Sequence, residues 1–194
     1  MEASFDNINV PNEVLEEKKE KIREELFAES ERACAIVGGA YLGELLGELL
    51  EHYLVENKTA GFDLLNSENV NAPLSGFGAR ILIAYAIGLL SKESYDALLK
   101  IKKIRNKFAH DLTLSFSDPS ISKLCKDLTP LMHDPLLNER TSRDVFIHAV
   151  ILMSGYLLQL IYLTKNVGLK GSYTAVLRSL SKKRLYNNIA SKKG

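Results

Sequence analysis

A chain of 194 residues fits one large domain or two small ones, and a hydrophobic share of 46% lets it bury a core without staples. Its two cysteines, Cys34 and Cys125, are too few for a disulfide framework and form no CxxC pair, so a disulfide scaffold is excluded and no zinc site is indicated. The net charge of +1 hides a skew: Val145–Gly194 holds eight Lys and Arg and no Asp or Glu, which leaves −7 on residues 1–144.

Both cysteines lie in apolar, helix-like stretches and read as small buried hydrophobes of a reducing compartment. The start, MEASFDNINV, lacks the basic residues and apolar run of a secretory signal, so the cytoplasm is expected. The basic tail is suited to RNA or DNA phosphate, or to an acidic surface of its own dimer, although solvated tails have the same composition.

In chain order, Pro11 at a first-turn position opens a highly charged helix, NEVLEEKKEKIREELFAESER. Ala33 to Val55 is apolar almost all round and predicts a buried helix, with Glu44, Glu48 and Glu51 arguing against a membrane span. Gly39, Gly43 and Gly47 recur every fourth residue on one stripe, where glycine costs roughly 1 kcal/mol against alanine. Three in register predict the close approach of another backbone, and a candidate dimer contact. Asn57 to Pro73 is turn-rich and reads as a loop. Ser75 is the expected cap of a helix through FGARILIAYAIGLL, SKES starts another from Tyr95 to about Asp111, and Asp118 or Ser120 caps ISKLCKDL. Thr141 to Lys165 is the last long helix, with 20 uncharged residues in VFIHAVILMSGYLLQLIYLT. That length meets the test for a membrane span, but His148, Ser154, Gly155 and Gln159 dilute it and a central bundle helix is expected. Only LTLSF alternates with period two. The fold class is therefore all-α, a bundle of four to six helices, divided as a charged N-terminal helix (1–27), a helical bundle (28–165) and a basic tail (166–194).

The most specific local feature is Ile104-Arg105-Asn106-Lys107-Phe108-Ala109-His110-Asp111. At about 100° per residue, Ala97, Ile101, Ile104 and Phe108 share a core stripe, while Asn106 and His110 point away from it beside Leu99. Arg105 stands near the stripe's edge, about 140° from His110, so the two do not meet within one straight helix. An imidazole that can take a proton from a ribose 2′-hydroxyl, next to a guanidinium that can clamp phosphate, would serve metal-free RNA cleavage. The same residues also suit structure: Arg105 in a buried ion pair, Asn106 and His110 holding backbone where the helix stops.

A second constellation is Asn71-Ala-Pro-Leu-Ser75-Gly-Phe77-Gly-Ala-Arg80, where Arg80 is expected to seek Asp111 or a glutamate of the glycine-rich helix. The alternative is an anion site at the helix N-terminus. A helix-turn-helix in AYAIGLLSKESYDALLKIKK is rejected: Ser94 falls where an aliphatic residue belongs, and the following helix must pack along its length.

Three blocks together resemble the mannitol operon repressor family: Ser30-Glu-Arg-Ala-Cys34-Ala-Ile-Val-Gly38-Gly-Ala-Tyr-Leu, Asn71 through Ile81, and Ile104 through His110. The likeness spans roughly residues 28–165. It implies an all-helical fold and negative control of transcription through a protein partner, without a DNA-reading motif. The Arg105-x4-His110 pattern is also similar to the signature of HEPN domains, helical and usually dimeric, many of them metal-independent ribonucleases. That likeness implies His110 as base, Arg105 as phosphate clamp and Asn106 as an orienting residue. Neither likeness implies a cofactor or a metal. A homodimer is expected, through the glycine stripe or the face bearing Leu99 and His110.

Overall fold

The computed structural model describes residues 12–54, 63–66, 68–69, 71–129 and 140–167. Six helices follow in order: α1 (Asn12–Ala28), α2 (Glu31–Leu54), α3 (Phe77–Ala86), α4 (Lys92–His110), α5 (Pro119–Lys126) and α6 (Ser142–Val167). Residues 63–65 add a helical turn inside the expected loop, giving one more helical piece than the upper expectation of six. Among the described residues there is no strand, and LTLSF is an irregular connection between α4 and α5. Pro11, residues 55–62 and the basic tail from residue 168 onward lie outside the described residues.

The core forms where the two most apolar helices meet. Leu42, Leu45, Leu46, Leu49 and Leu50 of α2 face Phe146, Val150 and Leu157 of α6, all buried. Burying each such side chain contributes about 1.5–3 kcal/mol, so the α2–α6 seam dominates cohesion. The uncharged run of α6 is thus accounted for by packing: α1, α2, α4 and α5 all lean on it, and Ser154 inside it satisfies its hydroxyl on the Ile151 carbonyl at 2.8 Å. By length and composition α2 and α6 are each apolar enough to cross a membrane, and most of each apolar window is buried in the bundle. Phe116 wedges between Phe108 of α4 and Phe146 of α6, with ring centroids 4.9 and 5.3 Å apart. Those contacts pin the α4–α5 connection to the core.

Between α3 and α4 the chain makes a tight αα-corner. Gly88 adopts φ 79°, the left-handed region open to glycine, and its N–H bonds the Tyr85 carbonyl while that of Leu89 bonds Ala84. This paired C-terminal stop, and not a DNA-reading turn, explains the glycine at that position. Ser91 then caps α4, accepting the Ser94 N–H at 3.2 Å.

Candidate functional site

The α4 helix sorts its residues as the periodicity predicts. Ala97, Ile101, Ile104 and Phe108 are buried, and the opposite side is left to polar groups. The helix stops at His110, where the Asp111 N–H bonds the Lys107 carbonyl. Asn106 and His110 line an open groove of about 480 Å³, with Leu99 and Leu114 as apolar floor and Lys102, Lys103, Lys107 and Asp111 around it. His110 is exposed and Asn106 half-buried.

Arg105 is not part of that lining. Half-buried, it donates from Nη1 to Asn106 Oδ1 at 3.1 Å, and its aliphatic stem lies on Gly39, where a β-carbon would stand 2.7 Å from its Cγ. The guanidinium and the imidazole therefore do not share one cleft within a single chain. Asn106 is the connecting group, one turn before His110 on the same face of α4 and accepting from Arg105. The structural alternative for Arg105 also takes a different form: among the described residues no carboxylate pairs with it.

The groove's wall is fastened from beneath. Asp111 Oδ1 accepts the Thr113 N–H at 2.9 Å and its hydroxyl at 2.7 Å, which holds the Asp111 carboxyl below its ordinary range. Asp118 stands at the N-cap position of α5, but its carboxylate accepts from Ser115 instead of capping. The first turn of α2 supplies two further ties, which sequence reasoning missed: Glu31 Oε2 accepts the Phe116 N–H at 3.0 Å, and Arg32 Nη2 donates to the Ala109 carbonyl at 3.3 Å.

The second constellation is architectural. Ser75 does not cap α3; Gly76 occupies that position in an extended conformation, with no side-chain cap. Arg80 reaches neither Asp111 nor a glutamate. Buried, it donates to three main-chain carbonyls: Leu74 from Nε at 2.7 Å, Gly43 from Nη1 at 2.8 Å and Leu65 from Nη2 at 2.8 Å. Three of its five N–H donors are thus spent on carbonyls, and the residue is 7% exposed. Burial lowers its pKa, with Glu44 nearby opposing the shift.

The glycine stripe is occupied from within the chain. Gly39 receives Arg105, Gly43 receives the Phe77 ring and Gly47 receives the Arg80 guanidinium. The expected close partner is thus a set of side chains from α3 and α4, not a backbone, and the stripe is not available as a dimer contact. Arg143, which carried no sequence signal, closes the end of α1 by donating from Nη2 to the carbonyls of Leu26 and Phe27 at 3.2 Å and of Glu29. Cys34 and Cys125 are buried and free, and burial lifts their thiol pKa values to about 11 and about 12. Among the described residues no group of three or more His, Cys, Asp or Glu is placed to hold a metal.

No family model matches the chain, and no curated protein matches it in sequence. Its fold is similar to that of a chain in the solved MtlR–HPr complex from Escherichia coli, with a TM-score of 0.55 and 17% identity. The similarity covers 72% of this chain and 97% of that one, so what the two share is a helical arrangement running through nearly the whole of the other protein.

Proposed function

We propose that this chain is a cytoplasmic, homodimeric regulator of the mannitol-repressor kind, which exerts negative control of transcription by binding another protein. The observation that carries the reading is the fold likeness to a chain solved in a protein–protein complex. The α3–α4 corner agrees with it. The left-handed Gly88 accounts for that corner without a DNA-reading turn, and α4 packs on the core as far as Phe108. Calorimetric titration of the purified chain with HPr, beside a gel-shift assay with promoter DNA, tests the reading. Saturable binding to HPr without a DNA shift is expected. A sequence-specific DNA shift by the chain alone, with no heat on adding HPr, overturns it.

A second reading, a metal-independent endoribonuclease or its inactive relative, is favoured by one observation: Asn106 lines the same groove as His110 and accepts from Arg105. Catalysis then requires a second copy to bring a guanidinium to the imidazole. Cleavage of labelled RNA in EDTA, lost in both His110→Ala and Arg105→Ala, would support the active enzyme; RNA left intact by the wild-type chain dismisses it and leaves only the inactive relative.

A further inference from the structure

The outer face of α4 carries cations that the rest of the chain leaves unmatched. Residues 100–127 hold seven Lys and Arg against three Asp. Two of those carboxylates are committed to their own loop, Asp111 to Thr113 and Asp118 to Ser115. Some other cations find carboxylates, Lys19 with Glu16, Lys92 with Asp96 and Lys165 with Glu48, while among the described residues Lys18 and Lys21 of α1 do not. Among the described residues Lys102, Lys103 and Lys107 have no such partner, and Lys107 reaches only the Ser120 hydroxyl, at 3.4 Å. Between them lie the apolar side chains of Leu99 and Leu114. Three lysines around a leucine floor form an amphipathic groove with one sign of charge.

Three kinds of occupant answer differently to that surface. A symmetric pairing of two α4 helices would set the lysines against their own copies, a like-charge juxtaposition that interfaces avoid. An RNA strand would find the His110 imidazole as the one ring among the lining residues to stack a base on, and would meet the Asp111 carboxylate at the rim. An amphipathic protein segment rich in Asp and Glu satisfies both features at once, its acids meeting the lysines and its aliphatic side chains meeting Leu99 and Leu114. Resting on the protein-partner reading above, we propose that this groove is the docking site for an acidic amphipathic helix of another protein. The partner thereby acquires a chemistry and the surface a location.

The probe is a fluorescein-labelled synthetic helical peptide with Leu at i, i+3, i+4 and i+7 and Glu elsewhere, followed by anisotropy on the full chain. Binding is expected to weaken about tenfold in Lys103→Glu/Lys107→Glu and to weaken with added salt, as befits partly exposed charges. The milder Lys103→Gln/Lys107→Gln pair guards against a folding artefact and should fall between, with circular dichroism unchanged in both. Equal binding by wild type and the reversed pair overturns the proposal. So does an all-Glu peptide without leucines that binds as tightly, or poly(U) RNA that binds while the peptide does not. Conversion of a dimer to a monomer by Lys103→Glu/Lys107→Glu assigns the face to a second copy and also overturns it. HPr titrated in parallel separates the two readings. If HPr binds but the peptide does not, the groove assignment alone falls; if the peptide binds only the wild type and HPr does not bind, the HPr reading alone falls.

Discussion

The guanidinium of Arg80 occupies the space in which Gly47 lacks a side chain: its Nη1 sits 2.8 Å, and its Cζ 3.0 Å, from where a β-carbon would stand. Gly47→Ala should gain about 1 kcal/mol of helix propensity and lose more. The displaced guanidinium releases the carbonyls of Gly43, Leu65 and Leu74, and leaving buried acceptors unmet costs about 1–3 kcal/mol each. Urea unfolding should show a lower midpoint. A midpoint raised by the substitution would show that Arg80 moves aside freely.

Gly39→Ala meets a less yielding neighbour. The added carbon would fall 2.7 Å from Cγ and 2.9 Å from Cβ of Arg105, atoms too near the backbone of α4 to swing away. Overpacking of this kind costs about 1–3 kcal/mol. Because Arg105 also holds Asn106, the side-chain amide resonances of Asn106 should shift with it. Gly76→Ala is the control for crowding, with nothing within 4 Å, and should leave the Asn106 resonances unchanged, its effect on stability being confined to the poorer N-cap.

The cysteines make the chain sensitive to alkali. Burial raises Cys34 from 9.0 to about 11 and Cys125 from 9.0 to about 12, so the folded state keeps both protons after the unfolded state has released them. Fewer protons bound in the unfolded state means stability falls as pH rises above the unfolded value. Unfolding followed between pH 8 and 10.5 should show that fall, and Cys125→Ala should reduce it. At pH 8 a thiol reagent such as DTNB should label the native chain no faster than it unfolds; rapid labelling of either thiol would contradict their burial.

Asp111 makes the opposite prediction at low pH. Its depressed folded pKa, set first by the Thr113 hydroxyl and then by the Thr113 amide, gives stability that is present above the ordinary carboxylate value. That contribution is lost as pH falls through the folded value. Thr113→Val removes the larger cause, so it should lower stability slightly at neutrality, and its difference from wild type should vanish as pH falls through the folded value. NMR titration of the Asp111 carboxyl in both forms is the direct check.

Much of the fold was legible because it depends on period and punctuation. The stripe Ala97, Ile101, Ile104 and Phe108 is buried as its spacing requires and the uncharged run of α6 is the central helix, whereas α3, expected to run through Leu90, ends at Ala86 ahead of Gly88. The placement of Asn106 and His110 on the outer side of α4 followed from the same wheel. What failed shares a cause. The partners of Arg80, Arg32 and Arg143 are carbonyls, which every residue carries and no sequence marks. Ser75 lost its capping role to Gly76, one position along, because a bare extended residue can start a helix without a side-chain bond. The glycines advertised a close approach truthfully but did not say that long side chains of α3 and α4 would fill it.

A notch that repeats every fourth residue is ambiguous by one helical turn. Slid along its axis by about 5.4 Å, α2 would still offer Gly43 to Arg105 and Gly47 to Phe77, and only the last notch would change, from Gly47 to Glu51 under Arg80. Two of the three notches tolerate that slide, and the third does not, because a Glu51 β-carbon would meet the Arg80 guanidinium. Hydrogen bonding fixes the same rung: Arg80 reads the Gly43 carbonyl on α2 while its other nitrogens hold Leu65 and Leu74, and Lys165 of α6 fastens Glu48 at 2.7 Å. In this bundle, small residues let the helices nest, and two cations choose the rung.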